Sequence, residues 1–284
     1  MNHPVIIFPI INFQHNPHRI AIFLRNSLLI FISLLLLQAC AGADKDEYAG
    51  LSAKKLYKNA RSSLDAAEFQ TAATTLENLE ARYPFSPYAR QAQLDIAYAY
   101  YKFDELDKSE GAANRFIRLH PRSPHLDYIY YLKGLINFTR GAGLLDRWIP
   151  RQPYKHDPTV MENAYNDFAT LIRRFPNSAY AGDAYQRMIY LRNQMAKKEI
   201  SVAEFYIRRG TWLSAANRAK TVIMRYPESI WVKRALEIMK QSYTRLNLKK
   251  LAADTQSVID ANKSNHAITS ITPQRYGKKP PAIL

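Results

Sequence analysis

Cys40 is the one cysteine among the 284 residues, so the thiol chemistry open to this chain is narrow. No disulfide can close within a single copy, and no second thiol is present to share a metal. The seven histidines stand at positions 3, 15, 18, 120, 125, 156 and 266. None forms a helix-spaced pair with a carboxylate between, as a zinc hydrolase requires. Asp104, Glu105 and Asp107 form an acidic cluster, but they fall at a turn between two helical patterns, where carboxylates face water and open a helix. His120 and His125 take the place of aromatic residues at one turn and read as packing or capping groups. No glycine-rich phosphate loop and no Gly-x-Ser-x-Gly elbow occurs. The residue types therefore predict a protein without an enzyme's active site, without a metal and without a bound cofactor.

The chemistry that Cys40 can do is set by what precedes it. The first 39 residues carry no acid and only Arg19 and Arg25 as fixed charges, followed by an apolar run from Ser27 to Leu37. A positive flank, a short apolar run and small residues at its end describe an export signal. The run is too short to span a bilayer, which needs about 20 residues. The segment before Arg19 is longer than a signal needs and reads as an extended start. The ending Leu37-Gln38-Ala39-Cys40 resembles the bacterial lipobox, in which S-diacylglycerol and N-palmitoyl groups are added to the cysteine and it becomes the first mature residue. By the same resemblance, Ala41 rather than Asp implies sorting to the outer membrane. The expectation is a signal peptide over 1–39, lipidation at Cys40 and a tether over 40–51, with the protein facing the periplasm from the inner leaflet.

Forty Lys and Arg against 24 Asp and Glu give a formal charge of +16, and residues 40–284 keep about +14 of it. Such an excess suits nucleic acid in principle, but an exported chain meets none. Acidic partner surfaces and anionic lipid head groups fit the compartment.

The elements that position any surface are legible as a repeat. Arg82-Tyr83-Pro84-Phe85-Ser86 recurs as Leu119-His120-Pro121-Arg122-Ser123, Arg174-Phe175-Pro176-Asn177-Ser178 and Arg225-Tyr226-Pro227-Glu228-Ser229. Proline stops a helix, and the serine two residues on is placed to cap the next one. Fifteen positions before each Pro stand Phe69, Leu106, Met161 and Trp212, and twelve before stand the small residues Ala72, Ser109, Ala164 and Ala215. Eight before are Leu76, Ala113, Phe168 and Ala219; five before are Leu79, Phe116, Leu171 and Val222. Spacings of three and four put these on one helical face. Helix pairs closed by Pro at about 34 residues form the tetratricopeptide pattern.

The sequence thus predicts an all-α tetratricopeptide superhelix of about five helix pairs. Its N-terminal pairs occupy 52–140, a Gly- and Pro-rich inter-helix loop 141–158, the C-terminal helices 159–262 and a disordered basic tail 263–284. The long interval between Pro176 and Pro227 reads as an added helix, Ser178–Met195 followed by Glu199–Arg209.

Function must then reside in surfaces. Tyr98, Tyr100, Tyr101, Tyr128, Tyr130 and Tyr131 lie on first helices of repeats, which line the groove of such arrays and suit extended peptides; the same rings also suit packing between repeats. Arg208, Arg209 and Trp212 stand at a helix end, and Arg and Trp are frequent in binding hot spots. The alternative there is a helix-terminal Arg favoured by the macrodipole, beside a core Trp.

Taken together, the lipobox, the Tyr-Pro-x-Ser turns, the loop with Asp146-Arg147 and Asp157-Pro158, and the run Ser201-Val202-Ala203-Glu204-Phe205-Tyr206 through Arg209-Gly210-Thr211-Trp212 to Asn217-Arg218 resemble the BamD family. Its members are outer-membrane lipoproteins of the β-barrel assembly machinery. The resemblance spans about 40–262. It implies a non-catalytic scaffold that binds the periplasmic domains of BamA, sits with other barrel-assembly lipoproteins and receives unfolded outer-membrane protein precursors. It places BamA docking on Arg208, Arg209, Trp212, Asn217 and Arg218, and precursor binding in a groove lined by Tyr98, Tyr101, Tyr128 and Tyr131. Acyl chains on Cys40 would tie it to outer-membrane lipid. A tetratricopeptide lipoprotein serving as pilotin or adaptor of a secretin or type IV pilus, or a coordinator of periplasmic cell-wall synthesis and division, would share the fold and anchor but not the partner.

Overall fold

The repeat resolves into ten helices and no strand among the described residues, 46–142 and 158–262, of a computed structural model. The helices are α1 Ala53–Asp65, α2 Phe69–Arg82, α3 Ala89–Lys102, α4 Leu106–Leu119, α5 Leu126–Ala142, α6 Pro158–Arg174, α7 Ala181–Arg208, α8 Trp212–Arg225, α9 Val232–Arg245 and α10 Lys249–Ala261. Each packs on its neighbour in sequence, giving five pairs, and the first helices of pairs also meet one another, α3 with α5 and α7 with α9. The expected signal peptide and the tether up to residue 45, residues 143–157 of the expected loop and the tail from 263 lie outside the described residues, while 141–142 and 158 belong to helices.

The repeating columns are the core. Ala72, Ser109, Ala164 and Ala215 are all 0% exposed, as are Leu76, Ala113, Phe168 and Ala219, and Leu79, Phe116, Leu171 and Val222. Small residues in the first of these columns let partner helices approach closely. One close approach joins α5 and α6: a methyl added at Gly134 would lie 2.9 Å from Phe168 Cζ and nearer still to two other atoms of that ring.

Two kinds of turn connect the helices. Within pairs, the chain leaves the first helix through a residue at positive φ: Ala67 (61°), Asp104 (65°), Gly210 (70°) and Asn247 (59°). The following amide reaches back five residues, Glu68 to Ser63, Glu105 to Tyr100, Thr211 to Tyr206 and Leu248 to Tyr243, which satisfies carbonyls left open at the helix end. Between pairs, the Pro motif makes two turns in succession. Ser86, Ser123, Ser178 and Ser229 each donate an amide to the carbonyl three residues earlier, across the Pro. Proline's fixed φ suits the second position of that turn.

This corrects the role expected of those serines. The helices start three residues later, at Ala89, Leu126, Ala181 and Val232. The hydroxyls of Ser123, Ser178 and Ser229 instead accept from the amides of His125, Tyr180 and Trp231, two residues on. Serine here closes a local side-chain turn. Two serines also tie their turns to a preceding helix, Ser178 Oγ donating to Asp127 Oδ2 at 2.8 Å and Ser229 Oγ to Asn193 Oδ1 at 3.0 Å. The added helix is corrected as well. Residues 181–208 form one unbroken helix of 28 residues, because Ala196-Lys197-Lys198 are strong helix formers and no Gly or Pro interrupts them.

Candidate functional site

Three first helices converge on one buried carboxylate. Asp95 of α3 is 2% exposed. Its Oδ2 accepts from the Tyr57 hydroxyl of α1 at 3.1 Å, with Arg61 Nη1 3.7 Å away, and its Oδ1 accepts from Gln91 Nε2 at 3.0 Å. Burial raises its pKa, and the bonds from Gln91, Arg61 and Tyr57 hold the rise back.

Tyr98 and Tyr101 of the same helix and Tyr128 of α5 are close enough to influence one another electrostatically, and Asp95 acts on Tyr128. The half-buried Tyr98 ring meets Phe69 edge-on at 6.3 Å and packs on Leu64, Ala72, Ala73 and Ala99. Tyr101 lies between helices, its hydroxyl 3.2 Å from Thr139 Oγ1 on α5. Tyr128 is 8% exposed, with its ring 5.7 Å from Tyr180, and its hydroxyl has no hydrogen-bond partner among the described residues. Burial, with Tyr98 and Asp95 nearby, drives its pKa well above the usual phenol value.

Tyr131 does not belong to this set. It is 1% exposed, stacks on Tyr180 at 4.8 Å and donates to Asp183 Oδ2 at 2.7 Å, so its ring is interior packing between the third and fourth pairs. Tyr100 turns toward the second helices, where its hydroxyl bonds Glu77 and burial pushes its pKa up to about 12. Tyr130 lies beneath the Arg174 guanidinium, beside Phe175. Only Tyr98 and Tyr101 of the expected groove keep surface to offer. The residues that sequence reasoning missed are Tyr57, Arg61 and Asp95. A carboxylate between the apolar positions Ala92 and Ala99 was the available signal.

In the C-terminal half of the array, the end of α7 and the outer side of α8 carry exposed residues. Arg208, Arg209, Asn217 and Arg218 are exposed and Trp212 is half-buried. Arg209 lies over the Phe205 ring at 5.1 Å, and Arg245 of α9 over the Trp212 ring at 5.5 Å. Arg218 Nη1 donates to Glu199 Oε2 at 3.2 Å. Core residues Ala215, Ala219 and Val222 take one face of α8. The spacing therefore sends Leu213, Asn217, Lys220 and Met224 outward on a single stripe. Leu213 is 57% and Met224 71% exposed, and Phe205 adds 44%. Two apolar side chains at those exposures, bordered by cations, are what a protein contact would cover. Leu213 and Met224 were missed in the sequence because the repeat columns draw attention to the buried face.

Cys40, the lipidation residue, lies outside the described residues. Among the described residues no group of three or more His, Cys, Asp or Glu could hold a metal ion, and no helix is long and apolar enough to cross a membrane.

The family model YfiO, described as outer membrane lipoprotein, matches residues 50–259, from just before α1 into α10. The chain is 43% identical over 241 residues to a Neisseria gonorrhoeae protein named outer membrane protein assembly factor BamD, with 83% of this chain and 90% of that one covered. The chain belongs to the YfiO/BamD family of outer membrane lipoproteins. A Vibrio cholerae BamD is 33% identical over 231 residues, covering 81% of this chain and 95% of the relative. The solved structure of MamA protein aligns at TM-score 0.36 with 14% identity, over 78% of this chain and 96% of that one. The tetratricopeptide assignment rests on the helix pairs themselves. BamD relatives and helix-pair arrays are non-catalytic kinds of protein, and the family places this chain at the outer membrane.

Proposed function

We propose that this chain is a lipid-anchored scaffold of the β-barrel assembly machinery, which docks the periplasmic domains of BamA on α7–α8 and holds unfolded outer-membrane protein precursors on its N-terminal helix pairs. The observation that carries this reading is the α7–α8 surface, which exposes Leu213, Met224 and Phe205 together with Arg208, Arg209, Asn217 and Arg218. It lies within the span that matches the family model. Exposed apolar side chains together with cations fit a partner patch that is both apolar and acidic.

The two ends divide the work. Tyr98 and Tyr101 offer ring surface and hydroxyls to an extended segment, which can be held through side-chain contact and hydrogen bonds without being folded. N-palmitoyl and S-diacylglycerol groups on Cys40 supply the several acyl chains that stable attachment to the inner leaflet needs. The array then keeps a held precursor beside the barrel subunit and other lipoproteins of the machinery. No step of this work breaks a bond, so the energy must come from the precursor's own burial in the membrane.

Affinity purification of the lipoprotein from detergent-dissolved outer membranes tests the reading. A barrel protein with periplasmic repeat domains should accompany it. Recovery of a secretin or pilus component in its place would reassign the scaffold to a different assembly.

A further inference from the structure

The first inter-pair turn departs from the other three at its outermost position. Phe85 stands there, 100% exposed, where the equivalent residues are the polar, exposed Arg122, Asn177 and Glu228. Pro84 and Pro87 bracket it and fix two backbone dihedrals, so the ring is presented with little conformational freedom to lose on binding. The turn also lies where the chain from Cys40 joins the array. The Tyr83 hydroxyl donates to the Leu51 carbonyl at 2.8 Å, immediately before α1, and Tyr88 stacks on Tyr57 of α1 at 5.3 Å. Eleven residues separate Cys40 from Ser52, an extended reach of about 36–40 Å.

Charge favours one kind of surface. Residues 51–62 and 82–93, which form this end of the array, contain no acidic residue. They carry Lys54, Lys55, Lys58, Arg82 and Arg90, all exposed. An exposed aromatic ring flanked by cations is the composition that partitions into the head-group region of an anionic leaflet.

We propose that the Pro84–Pro87 turn is a membrane contact: Phe85 inserts into the head-group region of the phospholipid leaflet, and Lys54, Lys55, Lys58, Arg82 and Arg90 rest on its phosphates. The inference rests on the reading that Cys40 is acylated, because the acyl chains bring this end of the array to the leaflet. The contact gives the scaffold an orientation. With the Cys40 attachment alone the array could swing about its tether; with a second contact at Phe85 the N-terminal pairs are held against the leaflet and the remainder projects away.

The test places an indole at the tip. Full-length lipoprotein carrying Phe85→Trp is reconstituted into vesicles of phosphatidylethanolamine and phosphatidylglycerol, with and without brominated acyl chains, and the wild type supplies the background from its own tryptophans. The added emission should shift to the blue and be quenched by the brominated lipid. In parallel, Phe85→Ser in the non-acylated Cys40→Ser chain should lower its partition onto the same vesicles about tenfold, the loss of one partly buried ring. A lipoprotein that floats with the vesicles while the added emission stays red and unquenched overturns the contact and leaves the anchor intact. An emission shift produced by unfolded precursor and absent with vesicles also overturns it, and assigns the tip to peptide. Failure of the wild type to float contradicts acylation instead, and the Cys40→Ser partition then decides the contact by itself.

Discussion

Gly134 offers a test of the packing that defines the array. In a helix interior, Gly→Ala ordinarily stabilises by about 0.5–1 kcal/mol, because glycine loses more backbone freedom on folding. At Gly134 the new methyl would overlap the Phe168 ring, 2.9 Å from Cζ with two ring atoms closer, and Phe168 is 0% exposed, held within the core. Overpacking of this kind costs about 1–3 kcal/mol, so the sign reverses and Gly134→Ala should lose about 1–2 kcal/mol net. For a domain of this size that is a fall in Tm of about 2–8 °C. Gly111, exposed in α4 with nothing within 4 Å of an added Cβ, is the internal control, and Gly111→Ala should raise Tm slightly. Adding Phe168→Leu to Gly134→Ala should recover part of the loss, since the two side chains share one space and their effects are coupled. Thermal unfolding followed by circular dichroism measures all four chains. A Gly134→Ala protein as stable as the wild type would refute the close approach of α5 to α6.

Three further substitutions probe the turns and buried polar groups. Ala67 holds a φ of 61° where the other pairs use Asp104, Gly210 or Asn247; Ala67→Gly relieves a strain of about 1–2 kcal/mol and should raise stability by about 0.5–1 kcal/mol in urea unfolding. Tyr131→Phe deletes the bond to Asp183 and should cost about 1 kcal/mol in the same assay, with no change in secondary structure. Asp95 has a pKa raised by burial, so its contribution to stability is present below its ordinary value and is lost as pH rises through the raised one. Stability of the wild type relative to Asp95→Asn should therefore decline from acid to neutral pH, and a pH-independent difference would show that the carboxyl is not shifted.

The four Pro turns and the columns before them carried the fold, and every residue in the three inner columns is buried where the periodicity put it. What escaped was conformation rather than pattern. The positive-φ residues of the turns within pairs are Ala67, Asp104, Gly210 and Asn247, four different residue types at one structural position, so no shared letter betrayed the turn. The serine hydroxyls were legible as turn-makers, but whether they meet an amide two residues on or a helix's first turn depends on the Pro geometry between. The candidate surfaces were legible by composition and not by direction. Tyr128 and Tyr131 are three residues apart on one helix and both meet the Tyr180 ring, yet Tyr131 finds a hydrogen-bond partner in Asp183 while the Tyr128 hydroxyl has none among the described residues. Such destinations are set by tertiary neighbours, which spacing within one helix does not encode.

If α7–α8 docks the barrel subunit, binding of the purified lipoprotein to the periplasmic domains of BamA measures that contact directly. Arg209→Glu and Arg218→Glu should each weaken that binding about tenfold or more, by placing like charge against an acidic patch. Arg122→Glu, on an exposed turn outside that surface, should leave it unchanged. Equal affinity for all four proteins would contradict the assignment of the surface.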